Sequence, residues 1–452
     1  MKKIFIIGFF ALLIIQACKK DQELIDGKRP EERVAENLEK YRNELINSPN
    51  GWVAYLNTTL VGGGYNFYMS FDKNNRVIMR ADYDSDFALE SFESTYRVKQ
   101  VMAPSLIFDT YTLLHLLQDP DPNSFDGDYS VGYGSDFEFE IREQVGDTIK
   151  LIGKKRNAPL ILVKATADQK AFYTSDKFSD NIEGITKFLT DNPFVYILDP
   201  KDNTKKIQVS MSADVRSRSF ALISTNAGQI ATSSGLFSFS DTGVRLNTPV
   251  KQGDVIYTSL NWDNVAKKLY LVSSTGTKSE VLISATPILP LHLLLGVNYA
   301  SVTIPNTTTY PGWGTEFISR RALANQRTSA NIVVGTTPVT LGAMRFTFNA
   351  TAKTMVLIWN TPYGANSLNL TYPYSFSKTN DGVFKFTIGS GFDANSAFIY
   401  NQASKPLDPI LAERLNVDDF KLDYFINPSN GAILGQFISV QHPDFKFSGT
   451  LQ

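Results

Sequence analysis

Residues 65–83 read YNFYMSFDKNNRVIMRADY. Tyr65, Phe67, Met69 and Phe71 alternate with Asn66, Tyr68 and Ser70, and Val77, Met79, Ala81 and Tyr83 alternate with polar or charged partners. Between them stands Asp72-Lys73-Asn74-Asn75, a run of turn formers. A period of two places alternate side chains on opposite faces of a strand, so this stretch predicts an antiparallel hairpin with one buried face.

The same pattern recurs outward from it. Phe137, Phe139 and Ile141 pair with Ile149 and Leu151 across Gly146-Asp147, with strands near 96–101 and 106–109 and a short helical piece at 111–117 between the hairpins. Upstream, Pro30-Glu31-Glu32 opens a helix, since proline suits its first turn and carboxylates its positive end. Val34, Leu38, Tyr41 and Leu45 form its apolar stripe, and Ser48-Pro49-Asn50-Gly51 ends it. Downstream, Ile182, Ile185, Phe188 and Leu189 mark a second helix, followed by strands through Ile207, Val209, Phe220, Phe237, Val255 and Leu269. A last group opens with Met344, Phe346 and Phe348 and closes with Phe445-Lys446-Phe447.

The expected class is mainly β: tandem antiparallel sandwich- or barrel-like units with an N-terminal amphipathic helix and a helical connector. The expected parts are a lipoprotein signal peptide (1–17), a tether (18–30), a helix plus β unit (31–165), a helical connector (166–192), a middle β unit (193–285), a connecting region (286–340) and a C-terminal β unit (341–452). Hairpin, loop-rich middle and hairpin recur in all three β units. Pattern alone does not separate a diverged triplication from generic antiparallel sheet, nor a sandwich from a barrel.

The N-terminus carries an address. Lys2 and Lys3 precede the apolar run Ile4 to Ile15, then Gln16, Ala17 and Cys18. A charged start, a short apolar run and a small residue at the cut site make a signal peptide, and the run falls short of the roughly 20 residues of a membrane span. Ile15-Gln16-Ala17-Cys18 resembles a bacterial lipobox, in which the cysteine is lipidated and becomes the first mature residue. Cys18 is the chain's single cysteine, so disulfides do not staple the fold and buried apolar area must. Hydrophobic residues make up 43% of the 452, enough for real cores. The formal net charge of −1 supplies no basic excess for nucleic acid. Asp21 and Glu23 resemble, in a less acidic form, the surface-export signals of Bacteroidota lipoproteins.

Residues for catalysis do not converge in the sequence. The three histidines, His115, His292 and His442, are far apart, and His115 sits among leucines as a core residue would. Ser70-Phe71-Asp72-Lys73 and Ser375-Phe376-Ser377-Lys378 match S-x-x-K but lie on or beside strands, where that nucleophile needs a helix start. Glu138 and Glu140 share the face opposite Phe137 and Phe139, so solvent is their expected environment. The loop 119–136 gathers Asp119, Asp121, Asp126 and Asp128, oxygen ligands suited to calcium, although acidic turn residues serve hairpins as well. Tyr310-Pro311-Gly312-Trp313-Gly314 places an aromatic pair on a loop, a platform for a flat ligand or a cap tucked onto a sheet. Asp147-Thr148-Ile149 is similar to a glycosylation motif of exported Bacteroidota proteins.

Several features together resemble Bacteroidota lipoproteins of domain-of-unknown-function family 4302. They are the lipobox, Ser48-Pro49-Asn50-Gly51-Trp52, the strand Gly64-Tyr65-Asn66-Phe67 with Phe71-Asp72, and Leu106-Ile107-Phe108-Asp109-Thr110-Tyr111. The resemblance would extend over nearly the whole mature chain and carries no catalytic residue with it. It implies a lipid anchor in the outer membrane, facing the exterior, and a partnership with SusC/SusD-like uptake proteins, with a glycan or peptide as ligand. The expectation is a non-catalytic binding or accessory lipoprotein without a cofactor, calcium being open. A carboxylate-dependent glycoside hydrolase and a structural envelope lipoprotein are the alternatives.

Overall fold

A computed structural model describes residues 28–60, 63–226 and 228–452. The signal peptide, Cys18 and most of the tether lie outside them. The described chain is mainly β and forms two compact units. The first holds the residues up to Asp191 with Met211–Ala221 and Ser234–Glu280; the second holds Asn192–Ser210, Leu222–Ser233 and Val281–Gln452.

The first unit is built on a closed barrel of eight strands: Trp52–Asn57, Gly64–Phe71, Arg76–Ala81, Phe92–Val101, Ala103–Phe108, Glu138–Val145, Thr148–Gly153 and Pro159–Lys164. Each pairs antiparallel with the next, and the last returns to the first from Trp52↔Lys164 to Leu56↔Leu160. The quoted hairpin has the expected register, Phe67↔Ala81, Met69↔Met79 and Phe71↔Val77. Tyr65, Phe67, Met69, Val77 and Met79 point into the barrel and are fully buried. Eight strands leave an interior that side chains just fill, and here they fill it. Apolar residues face inward while Ser70, Arg76 and Lys150 face out, the reverse of a membrane-spanning barrel.

One expectation for the hairpin needs correction. Asn66 and Tyr68, read as its outer face, are buried as well. Residues from Ser234 onward lie against that face: Asn66 Nδ2 donates to Phe239 O at 2.7 Å, and Asn247 Nδ2 donates to Asn57 Oδ1 at 2.6 Å. A Cβ on Gly64 would stand 2.0 Å from Asn247 Nδ2 and 2.9 Å from Phe237 O, so a larger residue would displace both the amide and that backbone. Strand alternation reports the face toward the barrel lumen and is silent on a second covering layer.

The N-terminal helix Pro30–Ile46 runs its stripe from half-buried Val34 and Leu38 to buried Leu45. The turn after it is fixed by Trp52 Nε1 donating to Leu45 O at 3.0 Å and by Tyr68 OH donating to Asn50 O at 2.9 Å. Gly51 has φ 73°, the left-handed region, and a Cβ there would meet Met69 O at 2.7 Å. The connector is two helices, Ala167–Tyr173 and Lys177–Asp191, with Ile182, Ile185 and Phe188 buried. The remaining strands of this unit, through Gly243–Gln252, Val255–Asp263, Lys268–Ser273 and Lys278–Glu280, form an open antiparallel meander.

The second unit repeats the closed eight-stranded design with Ser301–Ile304, Met344–Asn349, Thr354–Tyr363, Asn366–Lys378, Val383–Ile388, Asp419–Ile426, Ile433–Ser439 and Lys446–Leu451. Its first and last strands meet at Val302↔Leu451. Phe346, Phe348, Phe386, Phe420, Phe437 and Phe447 pack ring against ring inside it. The three expected β units are thus two closed barrels and an open meander. Residues 286–340, expected as a connection, supply this barrel's first strand and the 17-residue helix Thr315–Asn331. That helix buries Phe317, Arg321, Ala324 and Thr328, a face too polar to show as an apolar stripe.

Candidate functional site

Trp313 is the first candidate the structure relocates. It is buried, its Nε1 donates to Ser448 O at 2.9 Å, and its ring meets Phe317 edge-on at 5.0 Å. Tyr310 is half-buried beside it, 6.0 Å between ring centroids. The Arg321 guanidinium sits 5.1 Å from the Trp313 ring and donates to Pro305 O, Thr307 O and Gly342 O. Burial alone pushes Arg321 down to about 10. The Tyr310-Trp313 loop is therefore a clamp on the second barrel, not an open platform, because the indole reaches a backbone acceptor only by turning inward.

The acidic loop is engaged by hydrogen bonds within it and by Arg216 from far along the chain. Asp119 accepts from the Tyr111 hydroxyl and from Asp121 N, which holds its carboxyl below the usual range. Asp121 caps the turn Pro122–Phe125 through Asn123 N at 3.0 Å. Asp128 pairs with Arg216 at 2.5 Å, and Arg216 also donates to Asp126 O. Among the described residues no three His, Cys, Asp or Glu side chains converge as a metal site. Asp119 and Asp121 thus do the turn and capping work that is the other reading of this loop.

Among the described residues three carboxylates are buried, and each holds the fold. Asp136 accepts from Lys155 N, Arg156 N and Ala158 N, shaping that turn, and a Cβ on Gly153 would strike its Oδ2. Asp418 accepts from Ser439 Oγ at 2.7 Å and lies 3.0 Å from His442 Nδ1. Asp82, fully enclosed, meets Arg218 Nη1 at 2.9 Å and accepts from Asn66 N and Phe239 N. Burial pushes the Asp82 carboxyl up, and the guanidinium and the two N–H groups pull it back. Arg218 also donates to Tyr83 O at 2.7 Å. Nothing in the strand pattern marks Asp82 or Arg218, since their burial depends on a layer added far along the chain. His115, read as a core histidine, stacks on Phe137 at 4.5 Å and accepts from Thr112 N.

Open concave surface is found on each unit by itself. In the first, a cleft of about 510 Å³ lies between Tyr83–Ser85, the outer side of helix Lys177–Asp191 and residues 213–215. Three of its acids serve locally, Asp84 capping the helix Ser85–Leu89, Asp191 pairing with Lys187 and Asp214 accepting from Arg216 N, and Glu183 lines it as well. In the second, a cleft of about 450 Å³ is lined by His292, Lys353, Phe376, Lys378, Asn380 and Phe384, with Leu293, Leu295 and Val297 among its apolar lining. Burial and the Lys378 ammonium lower the His292 imidazole, and burial lowers Lys378. This second cleft joins cations, amides and aromatic carbon in one concavity, the make-up of a site for a polar ligand with an apolar face. Sequence reading met Lys378 only as part of an S-x-x-K match, since Lys353, Lys378 and His292 come together only through strand pairing and the loop before the barrel.

Comparison with protein families matches residues 25–264 to Domain of unknown function (DUF4302). No curated protein matches the chain. The match takes in the first barrel, the connector helices and most of the meander, and stops before the second barrel, so it is shorter than the resemblance implied. It spans more than half of the 452 residues, and the chain belongs to this family, Domain of unknown function (DUF4302).

Proposed function

We propose that this chain is a non-catalytic lipoprotein of a Bacteroidota outer membrane, anchored through Cys18 and facing the cell exterior, where it binds a glycan or peptide as an accessory component of a SusC/SusD-like uptake system. The lipobox at Cys18 supports the anchor. The observation that carries the binding role is the contrast between two solidly packed barrels and the polar, aromatic cleft on the second one. Filled barrels are scaffolds; ligand chemistry is left to their outer surfaces.

A glycoside hydrolase needs two carboxyl groups roughly 5–10 Å apart flanking the bond to be cut. Here the buried acids are committed to a turn, a guanidinium and a serine–histidine pair. Those engagements favour binding over cleavage.

Purification from native envelopes in detergent tests the reading. The expected product begins at Cys18, carries acyl chains by mass spectrometry, is cut by protease added to intact cells, and brings SusC/SusD-like proteins with it. An unmodified N-terminus, or a protease-resistant protein with no such partner, would count against it.

A further inference from the structure

The lining of the second unit's cleft carries cations and no acid, while the carboxylates of Asp381 and Asp423 act on His292 from outside the lining. Lys353 and Lys378 both line it, and no aspartate or glutamate does, although the chain as a whole is slightly acidic. Neither lysine makes an ion pair among the described residues. Lys353 sits at the 350–353 turn in the left-handed region, φ 52°, and its carbonyl accepts from Phe376 N at 2.9 Å, which sets it beside the strand that carries Lys378. Lys378 Nζ donates to His292 O at 2.8 Å, and its ammonium lies 5.8 Å from the Phe384 ring.

The cleft's form is fixed by its neighbours. Gly382 has φ 80°, and a Cβ there would stand 2.3 Å from His292 Nδ1, so the imidazole is seated directly on the 379–382 turn. Phe376 packs on Phe384 at 5.2 Å and on Phe348 at 6.1 Å, which ties the aromatic wall to the barrel core. Val297 is 67% exposed at the rim. Two ammonium groups without an ion-pair partner among the described residues, beside a rigid aromatic wall, suit an anionic group attached to a flat or apolar body.

We infer that this cleft binds an acidic saccharide, with Lys353 and Lys378 on its carboxylate or sulfate group and Phe376 against a sugar face. The inference deepens the binding-protein reading by naming a ligand class; it does not depend on the anchor or on the uptake partners.

Isothermal titration of the full-length chain in detergent tests it, with digalacturonate, a sulfated chondroitin disaccharide and neutral galactobiose as probes and inorganic sulfate as the ion-only control. At least one acidic disaccharide binds, at least tenfold more tightly than galactobiose or sulfate. Losing one charge-assisted contact then weakens that probe roughly tenfold or more in Lys378→Gln and Lys353→Gln, while Lys378→Arg, which keeps the charge, restores most of it. Circular dichroism matched to the parent shows that the variants fold. Equal binding of galactobiose with no effect of the lysine changes would overturn the acidic class yet leave a binding protein. Sulfate binding as tightly as either disaccharide would reduce the cleft to an ion site and overturn it too, as would no binding of any probe.

Discussion

Asp82 and Arg218 show how much one residue pair can carry. Both side chains are fully buried, and the guanidinium reaches the Asp82 carboxylate and the carbonyls of Asp82 and Tyr83. Its carbon also lies 4.8 Å from the Phe239 ring. Such a pair gains little over an apolar replacement, but removing one partner strands the other charge without water. Asp82→Asn or Arg218→Met should each cost about 3–5 kcal/mol in denaturant unfolding. The double variant should lose clearly less than the sum, because no lone charge remains. A strictly additive double variant would mean the two do not act as a pair. Neither residue could be found from the sequence. Asp82 follows a strand at a position read as outward, and Arg218 stands in a stretch without strong periodicity, so their enclosure was invisible locally. Gly51 and Tyr65 were legible because their roles are settled within a few residues or by strand alternation.

At the scale of elements, Thr315–Asn331 is the helix the sequence hid. Its buried face includes Arg321 and Thr328, which no apolar period would select. Its first turn is held from outside: Asp444 accepts from the Thr315 hydroxyl and from Glu316 N at 2.9 Å, and Glu316 pairs with Arg320 at 2.7 Å and with Arg414. The Thr315 hydroxyl and Glu316 N–H hold the Asp444 carboxyl below its usual range. At Glu316 burial pushes upward, but the two guanidinium groups outweigh it and the net shift is down. A carboxylate with a depressed folded pKa adds stability above its unfolded value and loses it as pH falls through the folded one. The second unit should therefore lose thermal stability as pH drops below about 4, the ordinary carboxylate range. Asp444→Asn should flatten that dependence in pH-resolved thermal melts. An unchanged slope would show that this cap does not report on the unit's stability. The long, strongly patterned hairpins show their lumen face by alternation within a few residues and were legible for that reason.

On the scale of the whole chain, alternation was enough to predict antiparallel β units and could not tell whether a sheet closes. Closure is a long-range fact, a pairing such as Val302↔Leu451 across some 150 residues. The candidate site was less legible than the fold. Trp313 and the loop aspartates were visible as residue types, yet the structure uses them as a clamp and as local caps. The lysine-lined cleft arises from the 350–353 turn, the strand carrying Lys378 and the loop before the barrel, which only the folded second unit brings together. What remains is a pair of filled barrels, with the proposed ligand surface outside their walls. The most direct test is electrophoresis of the chain through gels containing acidic and neutral polysaccharides, with the same mixtures analysed chromatographically for released sugars. The account predicts retarded migration in at least one acidic polysaccharide and no released product; steady release of oligosaccharides, or unaltered migration in every gel, would contradict it.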